Sequence, residues 1–438
     1  MKRFSLAFAL AVAAVLRLYA VASAHVTLVS SDPGANSRLT ASPAQLRLVF
    51  SEPVEPAVAH ISIVRPDGTT DSVAVSNDPH NAYALVGPLT DRGPGTFRVV
   101  WHVLSEDGHP VGGNFVYTVG SGPVTAPAAT PAAEAELQAP TTWGPTVAGA
   151  PTIPAVLRGL GVGSLAALTG LLFFMVTMPA GAGNRALRVA RWLSGAAALL
   201  LVGHLGTWLV NTAPDHRLTG TWMSAAFSTE VGRIELWRTF LSMLPFWGLV
   251  LARRTGLAAL LAIPALLLSA AIGHSAAFHP LWSIPLKALH LTALAAWLGG
   301  LFWLVVCDPA DPRELAIQTA RVSSIALAAV VAIALSGILQ SVFLLASFSG
   351  LRSPYGVILA LKVAGMGGLI AFGAYHRYRV MPQLMMGVDG GLMTEFGLSL
   401  RREITLLWFV VVLGGILAYV SPPSANVPRQ LNVPRSQQ

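Results

Sequence analysis

Asp107 and His109 stand two residues apart in Ser105-Glu106-Asp107-Gly108-His109-Pro110. In extended chain such a pair points to one side, and Gly108 between them admits a tight turn. His25 follows Ala22-Ser23-Ala24, and Lys2, Arg3 and the apolar run 4–15 come before it. A basic start, a short apolar core and a small-x-small triplet are the parts of a cleavable secretory signal. Arg17 interrupts the run too early for an uncleaved anchor. Cleavage after Ala24 makes His25 the first residue, so its amine and ring Nδ1 can close a chelate on one metal. That amine has a pKa of about 7.7 and yields its proton easily. With Asp107 and His109 the set is three nitrogens and one oxygen, which suits Cu(II), the strongest binder in the divalent series. The plainer alternative for residues 105–110 is a polar hairpin turn.

Four further histidines, His204, His274, His279 and His290, lie in or beside long apolar stretches. Ionisable groups at membrane depth mark ion pathways by default, and neutral imidazole accepts either copper oxidation state. The topology derived below brings all four to the outer leaflet as a candidate copper site; helix capping or water binding at the interface is the alternative. Softer candidates are Met381, Met385, Met386, Met393 and Cys307 on the inner side, where thioethers or a thiol suit Cu(I). Methionine is also a common flexible filler, and that reading is preferred here. Lys362 and Glu403, each near a helix end, are read as pairing or snorkelling. His60, His80 and His102 are read as surface or packing residues.

The elements that must position these groups fall into two kinds. The chain has 438 residues, 54% hydrophobic and 11% charged, against about 25% charged in a soluble domain. Residues 25–120 hold apolar–polar alternation at 45–50, 60–64, 96–101 and 114–119, separated by Asp32-Pro33-Gly34, Pro66-Asp67-Gly68 and Gly93-Pro94-Gly95. Short strands at that spacing predict a β-sandwich or small barrel. Residues 121–150 are Pro- and Ala-rich and read as a semi-rigid tether. Cys307 is the only cysteine, so an intrachain disulfide and a thiolate cluster are both excluded.

Beyond residue 151 eight apolar runs approach the roughly 20 residues a bilayer requires: 155–178, 189–211, 236–252, 256–273, 285–306, 322–347, 355–380 and 404–420. If the β domain is exported, eight crossings return the C-terminus outside. Eleven basic residues (Arg185, Arg188, Arg191, Arg253, Arg254, Arg313, Arg321, Arg377, Arg379, Arg401, Arg402) then fall inside. Five (Arg217, Arg233, Arg238, Lys287, Arg352) fall outside, in keeping with the positive-inside rule. The net charge of +8 drops to +5 without Lys2, Arg3 and Arg17, and its placement in short loops speaks for membrane topology and against nucleic acid.

Residues 25–120 resemble the CopC copper-resistance domain. The matching stretches are His25-Val26, Leu48-Val49-Phe50-Ser51-Glu52-Pro53-Val54-Glu55 and the run from Val100-Trp101-His102 through Asp107-Gly108-His109 to Gly112-Gly113. The resemblance implies an immunoglobulin-like Greek-key sandwich or barrel that binds one Cu(II) through His25, Asp107 and His109. The methionine-rich Cu(I) loop of some members is not expected, since no methionine lies between residues 2 and 174. Residues from about 200 to 420 resemble the CopD membrane protein, through His290-Leu291-Thr292-Ala293-Leu294-Ala295-Ala296-Trp297-Leu298-Gly299-Gly300-Leu301, Tyr355-Gly356 with Lys362, Glu403 and Ser421-Pro422-Pro423. No role is carried over at His376-Arg377, where relatives pair Asn with Arg. This second resemblance implies an all-α copper permease of the inner membrane, and the fusion is similar to proteins linked to copper uptake.

The expected organisation is a signal peptide (1–24), a copper-binding β domain (25–120), a linker (121–150), a membrane domain of about eight helices (151–421) and a tail (422–438). The N-terminal domain and C-terminus face the periplasmic or extracellular side of the plasma membrane. The expected function is copper import: the β domain captures Cu(II) and passes it to the membrane histidines, with copper as Cu(I) or Cu(II) in transit. The bilayer is a partner, and a reductant or a cytoplasmic copper acceptor is implied. No P-loop and no strand–GxGxxG–helix fingerprint occurs, so ATP-driven pumping is not expected and the chain is not read as an enzyme. Two alternatives stay open: a b-type membrane cytochrome with His204 and His290 as haem ligands, and periplasmic copper sequestration on a membrane anchor.

Overall fold

The computed structural model describes residues 26–105, 108–120, 146–147, 150–178, 183–212, 220–273, 280–307, 312–345, 347–386, 390–420 and 422–423. The expected signal peptide, nearly all of the linker and the tail beyond 423 lie outside the described residues. The chain divides into two compact units. One comprises residues 22–144, 207–233 and 421–438; the other comprises 1–21, 145–206 and 234–420.

The first unit is a β-sandwich. Its strands are β1 (Leu28–Asp32), β2 (Arg38–Leu39), β3 (Gln45–Phe50), β4 (His60–Val64), β5 (Thr70–Val73), β6 (Ser76–Asp78), β7 (Asn81–Pro88), β8 (Gly95–Leu104) and β9 (Pro110–Val119). They form a four-stranded sheet in the order β1-β3-β7-β6 and a five-stranded sheet in the order β2-β9-β8-β4-β5. The chain changes sheets between β1 and β2, β2 and β3, β3 and β4, β5 and β6, and β7 and β8. Period-two alternation sends Leu46, Leu48 and Phe50 inward from β3, Ile61 and Ile63 from β4, and Phe97, Val99, Trp101 and Val103 from β8. Phe50 meets Trp101 edge-on with ring centroids 5.3 Å apart. The indole of Trp101 covers Gly113, where a Cβ would come within 2.6 Å of the ring. At the sheet edge Asp71 accepts from Arg65 at 2.7 Å and from Arg92 at 3.1 Å. Partial burial alone would raise the Asp71 carboxyl, but the two guanidinium bonds outweigh it and hold the group below the usual carboxylate range.

The helices are α1 (Thr152–Thr177), α2 (Asn184–Thr212), α3 (Gly220–Ser228), α4 (Glu230–Val250), α5 (Thr255–Leu268), α6 (Pro280–Val306), α7 (Pro312–Leu345), α8 (Pro354–Tyr375), α9 (Met381–Met386) and α10 (Gly390–Leu417). Each of the eight expected spans coincides with a helix, in order α1, α2, α4, α5, α6, α7, α8 and α10. Five stretches are long and apolar enough to cross a bilayer: Thr152–Thr177, Asn184–Thr212, Pro280–Val306, Glu314–Leu345 and Pro354–Gln383. A shorter apolar helix runs Thr255–Ala271. The chain is thus a multi-pass membrane protein.

Within the second unit α1 is the hub, packing on α5, α6 and α10. Small residues allow this. A Cβ on Gly170 would fall 1.8 Å from the Ala295 carbonyl oxygen, and one on Gly299 would fall 2.2 Å from the Gly170 carbonyl carbon. The α1 and α6 backbones therefore touch, as at membrane helix interfaces built on small residues. Gly159 and Gly415 do the same between α1 and α10. Around these contacts Leu171, Phe174, Trp297, Leu298, Leu301 and Trp303 make one core. The Trp303 indole is satisfied by Gln318 Oε1 at 3.1 Å.

Two outcomes are expected. Leu48→Ala in the sandwich core should cost about 2–5 kcal/mol of stability, read from denaturant unfolding. Gly299→Val should cost at least about 1–3 kcal/mol through overpacking, read as an earlier loss of the monodisperse peak when detergent-solubilised protein is heated before size exclusion. A Gly299→Val protein as heat-resistant as the parent would contradict the backbone contact.

Candidate functional site

Strands β8 and β9 pair along their whole length, from Gly95 opposite Val119 to Leu104 opposite Pro110. The connection between them is therefore a turn held at both ends by the ladder. Ser105 fastens it: its N–H donates to the His109 carbonyl at 3.0 Å, and its hydroxyl accepts from the His109 N–H at 3.1 Å. Gly108 donates its N–H to the Ser105 carbonyl at 2.9 Å and has φ +90°, a conformation that favours glycine. His109 is buried. Asp107 and His25 lie outside the described residues. Val26, the neighbour of His25, is buried in the sandwich core, and Thr27 exchanges bonds with Ser51.

Segment 207–233 belongs to the same unit and presses on the same turn. The Trp208 indole N–H donates to the Gly108 carbonyl at 2.8 Å, and a Cβ on Gly108 would meet Val231 Cγ1 at 2.8 Å. Ser224 donates to the Ala57 carbonyl at 3.0 Å, and the Glu230 N–H reaches Glu55 Oε1 at 3.4 Å. Sequence reading missed Trp208, because nothing local links it to a turn 100 residues earlier. His60 and His102 are cross-strand neighbours on β4 and β8, both half-buried. His80 is at the surface, beside Asp78.

In the helical unit His204 on α2 is fully buried, with both ring nitrogens engaged. Nε2 lies 2.6 Å from the Tyr419 hydroxyl, and Nδ1 lies 3.0 Å from an Arg238 amino group and 3.4 Å from Glu235 Oε2. A guanidinium can only donate, which assigns the ring proton to Nε2 and its donation to Tyr419. Arg238 also pairs with Glu235, three residues away on α4. Arg158 of α1 donates to the Ile272 carbonyl at 2.9 Å, and Lys287 of α6 donates to the same oxygen. Gly273, with φ +102°, takes a backbone conformation that favours glycine beside both cations. The sequence reading placed Arg238 in an outer loop; the structure buries it inside α4. The signal was present as opposite charges at i and i+3, but their polarity was read as the edge of a span.

His290 on α6 lies with Nδ1 2.8 Å from the Ser336 hydroxyl, which itself donates to the Ala332 carbonyl at 2.6 Å. Ser336 has spent its proton there, so Nδ1–H is the donor and Nε2 carries the lone pair, the usual arrangement of a metal-ligating histidine. His274 and His279 lie outside the described residues. Among the described residues no group of three His, Cys, Asp or Glu side chains converges to hold a metal ion.

Glu403 does not pair with Lys362. Its carboxylate accepts from the Trp297 indole at 3.3 Å and meets His376 Nδ1 at 3.1 Å, while His376 Nε2 faces Ser399 at 2.8 Å. Burial explains the choice, since both Glu403 and Trp297 are enclosed between α6 and α10. Cys307 donates weakly to the Leu304 carbonyl at 3.7 Å. Met386 is exposed and Met381 half-buried; the side chains of Met385 and Met393 lie outside the described residues.

Residues 28–120 match the CopC domain family, and residues 318–418 match the family Copper resistance protein D. The Copper transport protein CutJ of Bacillus subtilis (strain 168) is 28% identical over 416 residues, 88% of this chain and 74% of that protein. Protein YobA of Escherichia coli (strain K12) is 33% identical over 117 residues, 26% of this chain and 94% of that protein. The crystal structure of CopC from Methylosinus trichosporium OB3b shares 33% identity with a TM-score of 0.21, covering 22% of this chain and 93% of that one. The chain belongs to the CopC family through its N-terminal domain and carries a CopD domain in the same polypeptide.

Proposed function

We propose that this protein imports copper. After cleavage behind Ala24 the exported β domain captures Cu(II) with the His25 amine and imidazole, Asp107 and His109. Copper then passes to His204, His274, His279 and His290 and crosses between the helices, leaving as Cu(I) once a reductant has acted and meeting a copper acceptor in the cytoplasm. The domains divide as a leader (1–24), capture domain (25–120), tether (121–150), permease (151–421) and tail (422–438), with both mature ends outside. The protein acts as a carrier and not as an enzyme.

One observation carries this reading: His109 stands buried immediately before β9, with its backbone bonded to Ser105 at the end of the β8–β9 ladder. A preformed ligand costs little ordering when metal arrives. CutJ, alike over most of its length, bears the name of a copper transport protein. For His290 the bond to Ser336 supports a ligating role through Nε2. His204 must release Tyr419 or Arg238 before it can take a metal. A haem reading asks the same of His204, and it predicts a Soret band in the purified protein where the copper reading predicts none.

His109→Ala should weaken Cu(II) binding by more than about 100-fold, measured by competition with a chelator of known affinity and by EPR. Unchanged affinity would place the site elsewhere. Cells lacking the gene should hold less copper than the parent. His290→Ala should reproduce that deficit while leaving Cu(II) binding by the β domain intact. Equal or higher copper in the deletion strain would reject import.

A further inference from the structure

The bond from Trp208 to the Gly108 carbonyl is not needed for the sandwich to fold, since β8 and β9 are already fully paired without it. It is nevertheless buried and short, and Trp208 is almost wholly enclosed. Its acceptor is the peptide that joins Gly108 to His109. Val231 closes the other side, against the face of Gly108 where a side chain would stand. The turn that carries His109 is thus gripped from within by Ser105 and from without by two residues of segment 207–233.

We propose that Trp208 is a positioning residue for the copper-binding turn, and that copper loading and the docking of segment 207–233 favour each other. The inference rests on the assignment of His109 as a copper ligand. A carbonyl that accepts an indole N–H is fixed in direction, and the next residue in the chain is His109. Fixing that peptide fixes the backbone from which the imidazole projects. Coupling of this kind is reciprocal: if the docked indole tightens copper, bound copper tightens the docking by the same factor.

The test uses the full chain in detergent, with Cu(II) alone as probe. Trp208→Phe keeps an aromatic ring in the same place and removes the N–H donor together with the pyrrole half of the indole. It should weaken Cu(II) binding about threefold to tenfold, the size of effect expected for one buried hydrogen bond, and should change the hyperfine splitting of the Cu(II) EPR signal. Val231→Ala, which loosens the opposite contact, should move the same two readouts in the same direction. Trp237→Phe, an exposed tryptophan on α4, is the control and should change neither. Parent-like affinity and spectra in both Trp208→Phe and Val231→Ala, with His109→Ala failing to bind, would overturn the inference alone. A parent protein that binds no Cu(II) would overturn it together with the functional reading.

Discussion

A charge enclosed in an apolar bundle must be neutralised by what surrounds it, and the helical unit is arranged around one such requirement. Glu235 and Arg238 stand one turn apart on α4, His204 and Tyr419 join them from α2 and the end of α10, and Arg158 lies 5.9 Å from the centre of the Tyr419 ring. Removing one member of a buried ion pair costs about 3–5 kcal/mol, because the other is left uncompensated. The set therefore fixes the rotation of four helices about their own axes. The carbonyl of Ile272, left without a helical partner where the chain turns at Gly273, serves as the acceptor for two cations at once.

The first unit solves a different problem. The copper turn proposed above must be stiff enough to present its ligands and open enough to exchange them. Stiffness comes from the ladder and from Ser105, both local to the turn. Segment 207–233, distant in sequence, adds a contact that can be made or released without breaking any strand pairing. The division of labour separates folding from function: a sandwich held by Phe50, Trp101 and their neighbours does not depend on the grip exerted by Trp208.

How much of this could be read from the sequence follows from the range of each interaction. Strands β3, β4, β8 and β9 alternate over five residues or more, and the sequence predicts all four. Strands β2, β5 and β6, with two, four and three residues, are too short or too polar to alternate, and β7 mixes Asn, Tyr and Gly into its pattern. Hydropathy placed each expected span on a helix, five of them long and apolar enough to cross a bilayer, but set several starts late, because α2 and α10 begin in polar turns that continue the helix. The spacing of Asp107 and His109 is a local signal, and of the two only His109 lies among the described residues. The pairing of Glu403 with His376, and of Trp208 with Gly108, joins residues that only the tertiary fold brings together. His376 was set aside on comparison with relatives, whereas its partner is a buried carboxylate.

Where Gly170 meets Ala295 and Gly299, main chain rests on main chain with no side chain between. Helices that meet through side chains can roll by changing rotamers; two that meet in this way cannot roll or slide without parting. The α1–α6 pair is consequently the keel of the bundle. Helices α7 and α8 are far less enclosed by the rest of the unit.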